Sequence, residues 1–271
     1  MGSVHALSSP VSSTPLIVPT DANFDVKLSS FFRHYNQLPS PDEVRSQARA
    51  QREVSTDFNA RPSPVFESMG LFVKWGADIR IAEGEVFLYM EAIRGKTLEQ
   101  SWPEMEVNDR LRICRELRTI FDSLRQLKQD PTDTFIGEAI NPSYRAEAGP
   151  FTSVKAFHDW FTFLYKRPMP DPHTVPPEPF RQDLPDDSKI VFTHGDLHRS
   201  NVILSLSKPA RVVAVIDWEQ AGWLPAYWED CKARFTCSYY GEWPEKYLPI
   251  ILHQYESTWD PWNYYTSSMG V

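Results

Sequence analysis

The chain has 271 residues, with 28 Lys and Arg against 36 Asp and Glu, which gives a formal net charge of −8 at pH 7. An acidic balance of this size argues against a protein that binds nucleic acid through a general basic surface. Three cysteines without CxxC spacing argue against a disulfide framework or a structural zinc site, and no apolar run approaches the length of a membrane span. We therefore predict a cytoplasmic protein without nucleic-acid or membrane partners, and its oligomeric state stays open.

The predicted elements begin after a leader at residues 1–22, whose Ser, Thr and Pro content indicates disorder. One or two short helices follow, with a break at Pro39 and Pro41. Residues 65–75 then predict a hairpin that turns at 68–70. A further strand is predicted in EVFLYMEAI, at residues 85–93.

Helical periodicity begins near Asn108, where one apolar face comprises Leu111, Cys114, Leu117, Phe121, Leu124 and Leu127. A second helix is predicted with Ser153 as its N-cap. Two short strands follow, NVILSLS and RVVAVIDW, and an aromatic, mostly helical tail begins at Trp218. Strands early and helices late predict an α+β protein with two lobes.

The segment VFTHGDLHRSNVIL, at residues 191–204, holds the most concentrated polar chemistry of the chain. His194, Asp196 and His198 alternate as metal ligands on a strand would, and GDLH is similar to the first signature of the metallophosphoesterases. That family needs further blocks of the GDxxDR and GNHE type to build a two-metal site, and the sequence contains neither. A metal-dependent hydrolase is therefore the least favoured alternative.

The same segment has the form HxDxxxxN, and VIDWE follows on the next predicted strand. Together they resemble the aminoglycoside phosphotransferase and choline kinase branch of the protein-kinase-like fold, where HGDLHxxN and IDWE stand in place of the HRD and DFG segments. The spacing suits the chemistry. An aspartate can orient the acceptor hydroxyl, while an asparagine five residues later and a second aspartate after the hairpin hold Mg²⁺ across the nucleotide phosphates.

The resemblance assigns a role to each of these residues. It implies Asp196 as the catalytic base, His194 as the histidine behind the loop, and His198 as a group near the phosphates. It implies Asn201 and Asp217 as magnesium ligands. ATP and Mg²⁺ are the implied cofactors.

The likeness runs from Val65 to the C-terminus and is strongest to fungal members of the family, in segments such as LFVKWG and EQAGWLPAYWEDCKARF. It implies a two-lobed protein-kinase-like fold of the α+β class, with a nucleotide-binding antiparallel β lobe at 23–94 and a larger, mainly helical lobe at 95–271 for catalysis and acceptor binding. The implied activity is transfer of the γ-phosphate of ATP to a hydroxyl of a small molecule.

The implied nucleotide-binding lobe is shorter than the family resemblance requires. Lys74 is implied as the ATP lysine, Glu83 as its partner, and Glu91 and Ile93 as the hinge that meets adenine. Only sixteen residues separate Lys74 from Glu91, whereas a ten-residue helix and two strands with their turns need roughly 25 to 35.

We therefore predict a truncated small lobe that lacks most of the glutamate helix and the strand after it. A family variant with a degenerate small lobe would explain this shortening. A splice isoform or a gene-model deletion explains it better, because both flanks match the family. The alternative function is accordingly a degenerate kinase-like protein that binds a ligand with weak or no turnover.

The sequence does not identify the small molecule that accepts the phosphoryl group. Six of the nine tryptophans lie from residue 218 onward, and with Glu219, Glu229 and Asp230 they could hold a cationic acceptor. Packing of the core by these aromatic side chains is the favoured interpretation.

Overall fold

The computed structural model describes residue 29 and residues 31–54, 63–76, 86–129, 136, 149–174, 178–237 and 241–269. The chain divides into two compact units, Met1–Ala92 and Ile93–Val271. The predicted leader at 1–22 and Glu83 both lie outside the described residues. No helix in the described ranges is long and apolar enough to cross a membrane.

The first unit contains an antiparallel sheet of three strands in sequence order, β1 (Val65–Phe66), β2 (Leu71–Gly76) and β3 (Val86–Glu91). The predicted hairpin is confirmed, since β1 and β2 are joined by a 3-10 turn that ends at Gly70 with φ of 61°. Glycine adopts this left-handed conformation without steric cost.

Helix α1 (Pro41–Val54) is hydrogen-bonded to strand β1 of this sheet. It starts at the predicted proline break because Ser40 and Glu43 cap its first turn, and the amide N–H of Ser40 donates to the Glu43 carboxylate at 2.7 Å. The Gln51 side chain donates to the carbonyl of Val65 at 2.9 Å and accepts from the amide of the same residue at 3.1 Å. The helix thereby satisfies backbone groups of strand β1 that its sheet neighbour does not.

Strands β2 and β3 pair over their full length, from Leu71 opposite Glu91 to Gly76 opposite Val86. Nine residues, 77–85, connect them. This connection is too short for the helix and additional strand that the family resemblance implies. Strand β2, which carries Lys74, and strand β3, which ends at Glu91, are direct neighbours in the sheet.

The second unit is mainly helical. Its helices are α2 (Leu98–Ser101), α3 (Val107–Leu124), α4 (Val154–Phe163), α5 (Trp228–Thr236), α6 (Leu248–Ile251) and α7 (Glu256–Ser268). Its strands are β4 (Lys96–Thr97), β5 (Ile190–Thr193), β6 (Val202–Leu204), β7 (Val212–Val215) and β8 (Gly222–Pro225). They form two small antiparallel sheets, β4-β6-β7 and β5-β8.

Both long predicted helices of this unit are present. Helix α3 buries Cys114, Leu117 and Phe121 on the predicted face. It ends at Leu124, earlier than the apolar spacing predicts, and the side chain of Leu127 is 51% exposed. Helix α4 begins at the predicted cap, where the Ser153 hydroxyl accepts the Ala156 N–H at 3.1 Å.

The aromatic tail forms a core. Tyr227, Trp262 and Tyr265 are fully buried, which confirms the packing interpretation for these side chains. Asp230 is also buried, and its carboxylate accepts the Tyr255 N–H at 2.9 Å and pairs with Arg234 at 3.1 Å. It therefore holds helix α5 against the segment before helix α7 and is not part of an open acceptor site.

Candidate active site

The candidate site is built on the turn that leaves strand β5. Gly195 has φ of 79°, and a Cβ atom at this position would lie 2.5 Å from the carbonyl oxygen of Gln220. Only glycine fits such a conformation and such a close approach. The backbone can therefore turn sharply between the buried His194 and the partly exposed Asp196.

Residues 196–201 close into a compact loop through their own hydrogen bonds. The amide N–H of His198 donates to the carbonyl of Asp196 at 2.9 Å. The side-chain amide of Asn201 donates to both the carbonyl and the carboxylate Oδ2 of Asp196, each at 2.9 Å. The Oδ1 oxygen of Asn201 accepts the Ser200 hydroxyl at 3.3 Å and retains a second lone pair that could bind a metal ion.

His194 supports this loop from behind. Its Nδ1 accepts the Asp196 N–H at 3.2 Å, and its Nε2 lies 2.9 Å from the carbonyl oxygen of Ile216. These two partners require a neutral imidazole with its proton on Nε2. Burial lowers the pKa of His194 below its usual value, which favours the same neutral form.

The hairpin of β6 and β7 brings Asn201 and Asp217 to one end. Val202 pairs with Val215, and the Ile216 N–H donates to the Asn201 carbonyl at 2.9 Å. Asp217 follows at once with a left-handed backbone, φ 69° and ψ 58°. A non-glycine residue in this region is uncommon and marks a position worth a functional hypothesis. An amide oxygen and a carboxylate at one hairpin end are suitable ligands for Mg²⁺.

His198 caps the short 3-10 turn Arg199–Asn201. Its Nδ1 accepts the Ser200 N–H at 3.3 Å and lies 2.8 Å from the Ser200 hydroxyl. The contacts of this histidine therefore shape the loop locally.

Glu229 is a site residue that the sequence did not single out for this position. It lies in helix α5, is 2% exposed, and its Oε2 accepts the N–H groups of His194 at 2.7 Å and of Gly195 at 3.3 Å. Burial raises the pKa of this carboxyl to about 7. The helix is thus fastened to the turn that carries Asp196.

Lys232 was also missed. It follows Glu229 by three residues on helix α5, so both side chains lie on the same face of the helix. Burial lowers the pKa of its ammonium, and the nearby Asp196 carboxylate partly offsets that effect. Lys232 therefore contributes positive charge to the electrostatic environment of Asp196.

The other implied residues belong to the first unit or to its boundary. Lys74 lies in β2 opposite Leu88, and Glu91 ends β3 opposite Leu71. Ile93 is 38% exposed and begins the second unit. The structure thus brings His194, Asp196, Asn201 and Asp217 together, and it places Lys74 and Glu91 on one separate sheet.

A glycine-turned HxD loop, an asparagine that closes it and an aspartate after the next hairpin thus lie together in the larger, mainly helical unit of an α+β protein-kinase-like fold that also has a small β unit. The model of the phosphotransferase enzyme family matches residues 29–265, and the chain belongs to this family.

Among solved structures, the chain is similar to a crystal structure of a thermostable mutant of aminoglycoside phosphotransferase APH(4)-Ia in a ternary complex with ADP and hygromycin B. The identity is 15% and the TM-score is 0.39, over 83% of this chain and 69% of that chain. No curated protein sequence matches the chain.

Proposed function

We propose that this protein transfers the γ-phosphate of ATP to a hydroxyl group of a small molecule. One observation supports the proposal above the others. Asn201 donates to the Asp196 carboxylate at 2.9 Å, and its carbonyl accepts the N–H of Ile216, which immediately precedes Asp217. A base and two metal-ligand candidates thus share one hydrogen-bonded framework.

In the proposed reaction, Asp196 orients the acceptor hydroxyl and accepts its proton. The hydroxyl oxygen forms a bond to the γ-phosphorus, the bond from that phosphorus to the β–γ bridging oxygen breaks, and ADP leaves. Asn201 Oδ1 and the Asp217 carboxylate would hold Mg²⁺, which supplies neutralisation of charge on the phosphates. His194 keeps the loop in place, and His198 lies in the same loop near the implied phosphate position.

The nucleotide contacts follow the family resemblance and are part of the proposal. Lys74 would bind the α- and β-phosphates, with Glu83 as its partner, and Glu91 and Ile93 would offer backbone groups to adenine. The proposed division assigns nucleotide binding to residues 23–94 and catalysis with acceptor binding to 95–271. A location in the cytoplasm remains a prediction from the sequence.

The decisive experiment follows ADP release by the purified chain with Mg-ATP and a panel of hydroxyl compounds that includes aminoglycosides and choline. We expect Asp196→Asn to lower turnover by about 100-fold or more, because general base catalysis contributes on this scale. Asp187→Asn, an exposed aspartate outside the loop, is the matched control and should keep full turnover. Equal ADP release by wild type and Asp196→Asn would exclude Asp196 as the base.

A second candidate function is ligand binding with weak or no turnover. The nine-residue connection between β2 and β3 favours it, because nine residues are fewer than the glutamate helix and the following strand of the family need. Calorimetry with Mg-ATP separates the two. Micromolar affinity together with turnover supports the enzyme, whereas binding without turnover, or no heat of binding at all, supports the degenerate protein.

A further inference from the structure

Arg199 lies inside the 196–201 loop and has an aromatic environment that the proposed chemistry does not explain. Its guanidinium carbon is 5.5 Å from the ring centroid of Trp102 and 5.6 Å from that of Trp243. Both distances are within the range of a cation–π interaction, which is strongest for tryptophan. Trp102 and Trp243 are almost completely buried and meet edge to face at 5.2 Å.

The two tryptophans are themselves held firmly. The Arg110 guanidinium lies over the Trp102 ring at 4.8 Å, and its NH2 group donates to the Trp102 carbonyl at 2.9 Å. The Tyr247 ring packs edge to face on Trp102 at 4.7 Å. Arg199 therefore rests on a fixed aromatic surface and not on a mobile one.

The backbone on the C-terminal side of Arg199 is attached to the same segment. Strand β6 pairs with β4, where Thr97 lies opposite Ile203. Residue 95 comes so close to β6 that a Cβ atom there would lie 2.3 Å from the Leu204 carbonyl oxygen. Strand β4 leads through α2 to Trp102, so one segment of chain contacts both the Arg199 side chain and the strand that follows it.

We propose that Arg199, Trp102 and Trp243 form a tryptophan clamp, in which Arg199 acts as a positioning residue that fixes the 196–201 loop. The proposal deepens the proposed function, on which its catalytic consequence rests. Arg199 is two residues before Asn201 closes the loop on Asp196, so movement of Arg199 displaces both hydrogen-bonded partners. The planar guanidinium matters because it stacks on aromatic faces, whereas an ammonium of the same charge does not.

The test compares Arg199→Lys and Arg199→Met with Arg211→Lys in the 271-residue chain. Arg211 is an arginine of the same β6–β7 hairpin, 67% exposed, so it is a matched control. Hydrogen exchange measured by mass spectrometry should show amides at 198–202 exchanging about tenfold faster in Arg199→Met, which loses the cation–π contact, and to a smaller extent faster in Arg199→Lys, which keeps the charge but loses the planar stacking. Trp243→Phe should give a smaller increase in the same segment.

Two outcomes would overturn the clamp. One is unchanged protection in Arg199→Lys, which would mean that charge alone suffices. The other is an equal increase in the rate of amide exchange in helices α3 and α4, which would mean that Arg199 only contributes to global stability.

In assays of ADP release, the clamp further predicts lower kcat and a higher half-saturating Mg²⁺ concentration for both Arg199 variants. Failure of wild type itself to release ADP would count against the proposed function, while the exchange data would still decide the clamp.

Discussion

The Oε2 atom of Glu229 accepts the backbone N–H of His194 at 2.7 Å, and this contact ties a helix to the turn that presents Asp196. The carboxyl is buried, and its Oε1 atom has no hydrogen-bond partner among the described residues. Such a group is costly to bury in its charged form. The electrostatic state of Glu229 therefore affects both the stability and the geometry of the loop.

The first prediction is a pH dependence of stability that originates in Glu229. Its pKa rises from 4.5 to about 7 on folding, so between these values the folded chain retains a proton that the unfolded chain has lost. The contribution is fully present below pH 4.5 and is lost as the pH rises through about 7. The loss amounts to roughly 3 kcal/mol of unfolding free energy at about 1.4 kcal/mol per pKa unit.

Glu229→Gln should remove this slope, because the amide keeps an acceptor oxygen but does not titrate. Urea unfolding at pH 5 and pH 8 measures the effect, and Glu219→Gln, which changes an exposed residue, is the control. The comparison between variants cancels the opposing contributions of His194 and His158, whose pKa values are lowered by burial. An unchanged difference between the two pH values in Glu229→Gln would contradict the prediction.

The second prediction concerns Gly195→Ala. The substitution imposes a left-handed conformation on an alanine and drives its Cβ to 2.5 Å from the Gln220 carbonyl. We expect a loss of about 3 kcal/mol in unfolding free energy, from conformational strain and overpacking together. Gly70→Ala is matched in conformation, with φ of 61°, but its Cβ meets nothing within 4 Å, so it should cost only about 1 kcal/mol. Equal losses in the two variants would show that the close approach to Gln220 is unimportant.

The sequence alone identifies those site residues that lie close together along the chain. Asp196 and Asn201 share one loop, and Asp217 follows the next hairpin, so their proximity depends only on a short turn and on strand pairing. Glu229 and Lys232 reach the loop through the packing of helix α5, more than thirty residues along the chain. No periodicity or spacing predicts such an approach, although a carboxylate amid the aromatic residues of AYWEDC is a signal for a buried, functional charge.

The small unit shows the same contrast. The hairpin at Val65–Gly76 and the strand at Val86–Glu91 were predictable from alternation and turn residues. The direct pairing of Lys74 with Leu88 was not, because the family resemblance implies further elements between these strands. Counting residues predicts that these elements do not fit, and it does not indicate which strand is the neighbour of the lysine-bearing strand.

The third prediction distinguishes the role of the Asp217 side-chain charge from the role of its left-handed backbone conformation. Asparagine tolerates the left-handed region almost as well as aspartate does, so Asp217→Asn should keep its stability within about 0.5 kcal/mol. Asp217→Val should cost about 1 to 2 kcal/mol, because a branched side chain is strained there. Both variants should lose about 100-fold or more in Mg-ATP turnover, since a metal ion supplies several kcal/mol of charge stabilisation. Normal turnover in Asp217→Asn would remove this residue from the metal site.

The fourth prediction is that the charge of Lys232 lowers the stability of the fold but increases the rate of ATP turnover. Burial lowers the pKa of its ammonium, which shows that the folded chain pays a desolvation cost for holding this charge near Asp196. Lys232→Met preserves the length of the side chain and removes the charge, so we expect unfolding free energy at pH 7 to rise by up to about 1 kcal/mol. The same variant should turn over ATP at least about tenfold more slowly, because a positive charge that interacts electrostatically with Asp196 can also stabilise negative charge that develops on the transferred phosphoryl group. Lys232→Arg should retain most of the turnover, and Lys189→Met, at an exposed position before strand β5, should alter neither quantity. Urea unfolding and ADP release measured on the same samples test both halves, and a Lys232→Met variant that is less stable yet fully active would refute the assignment.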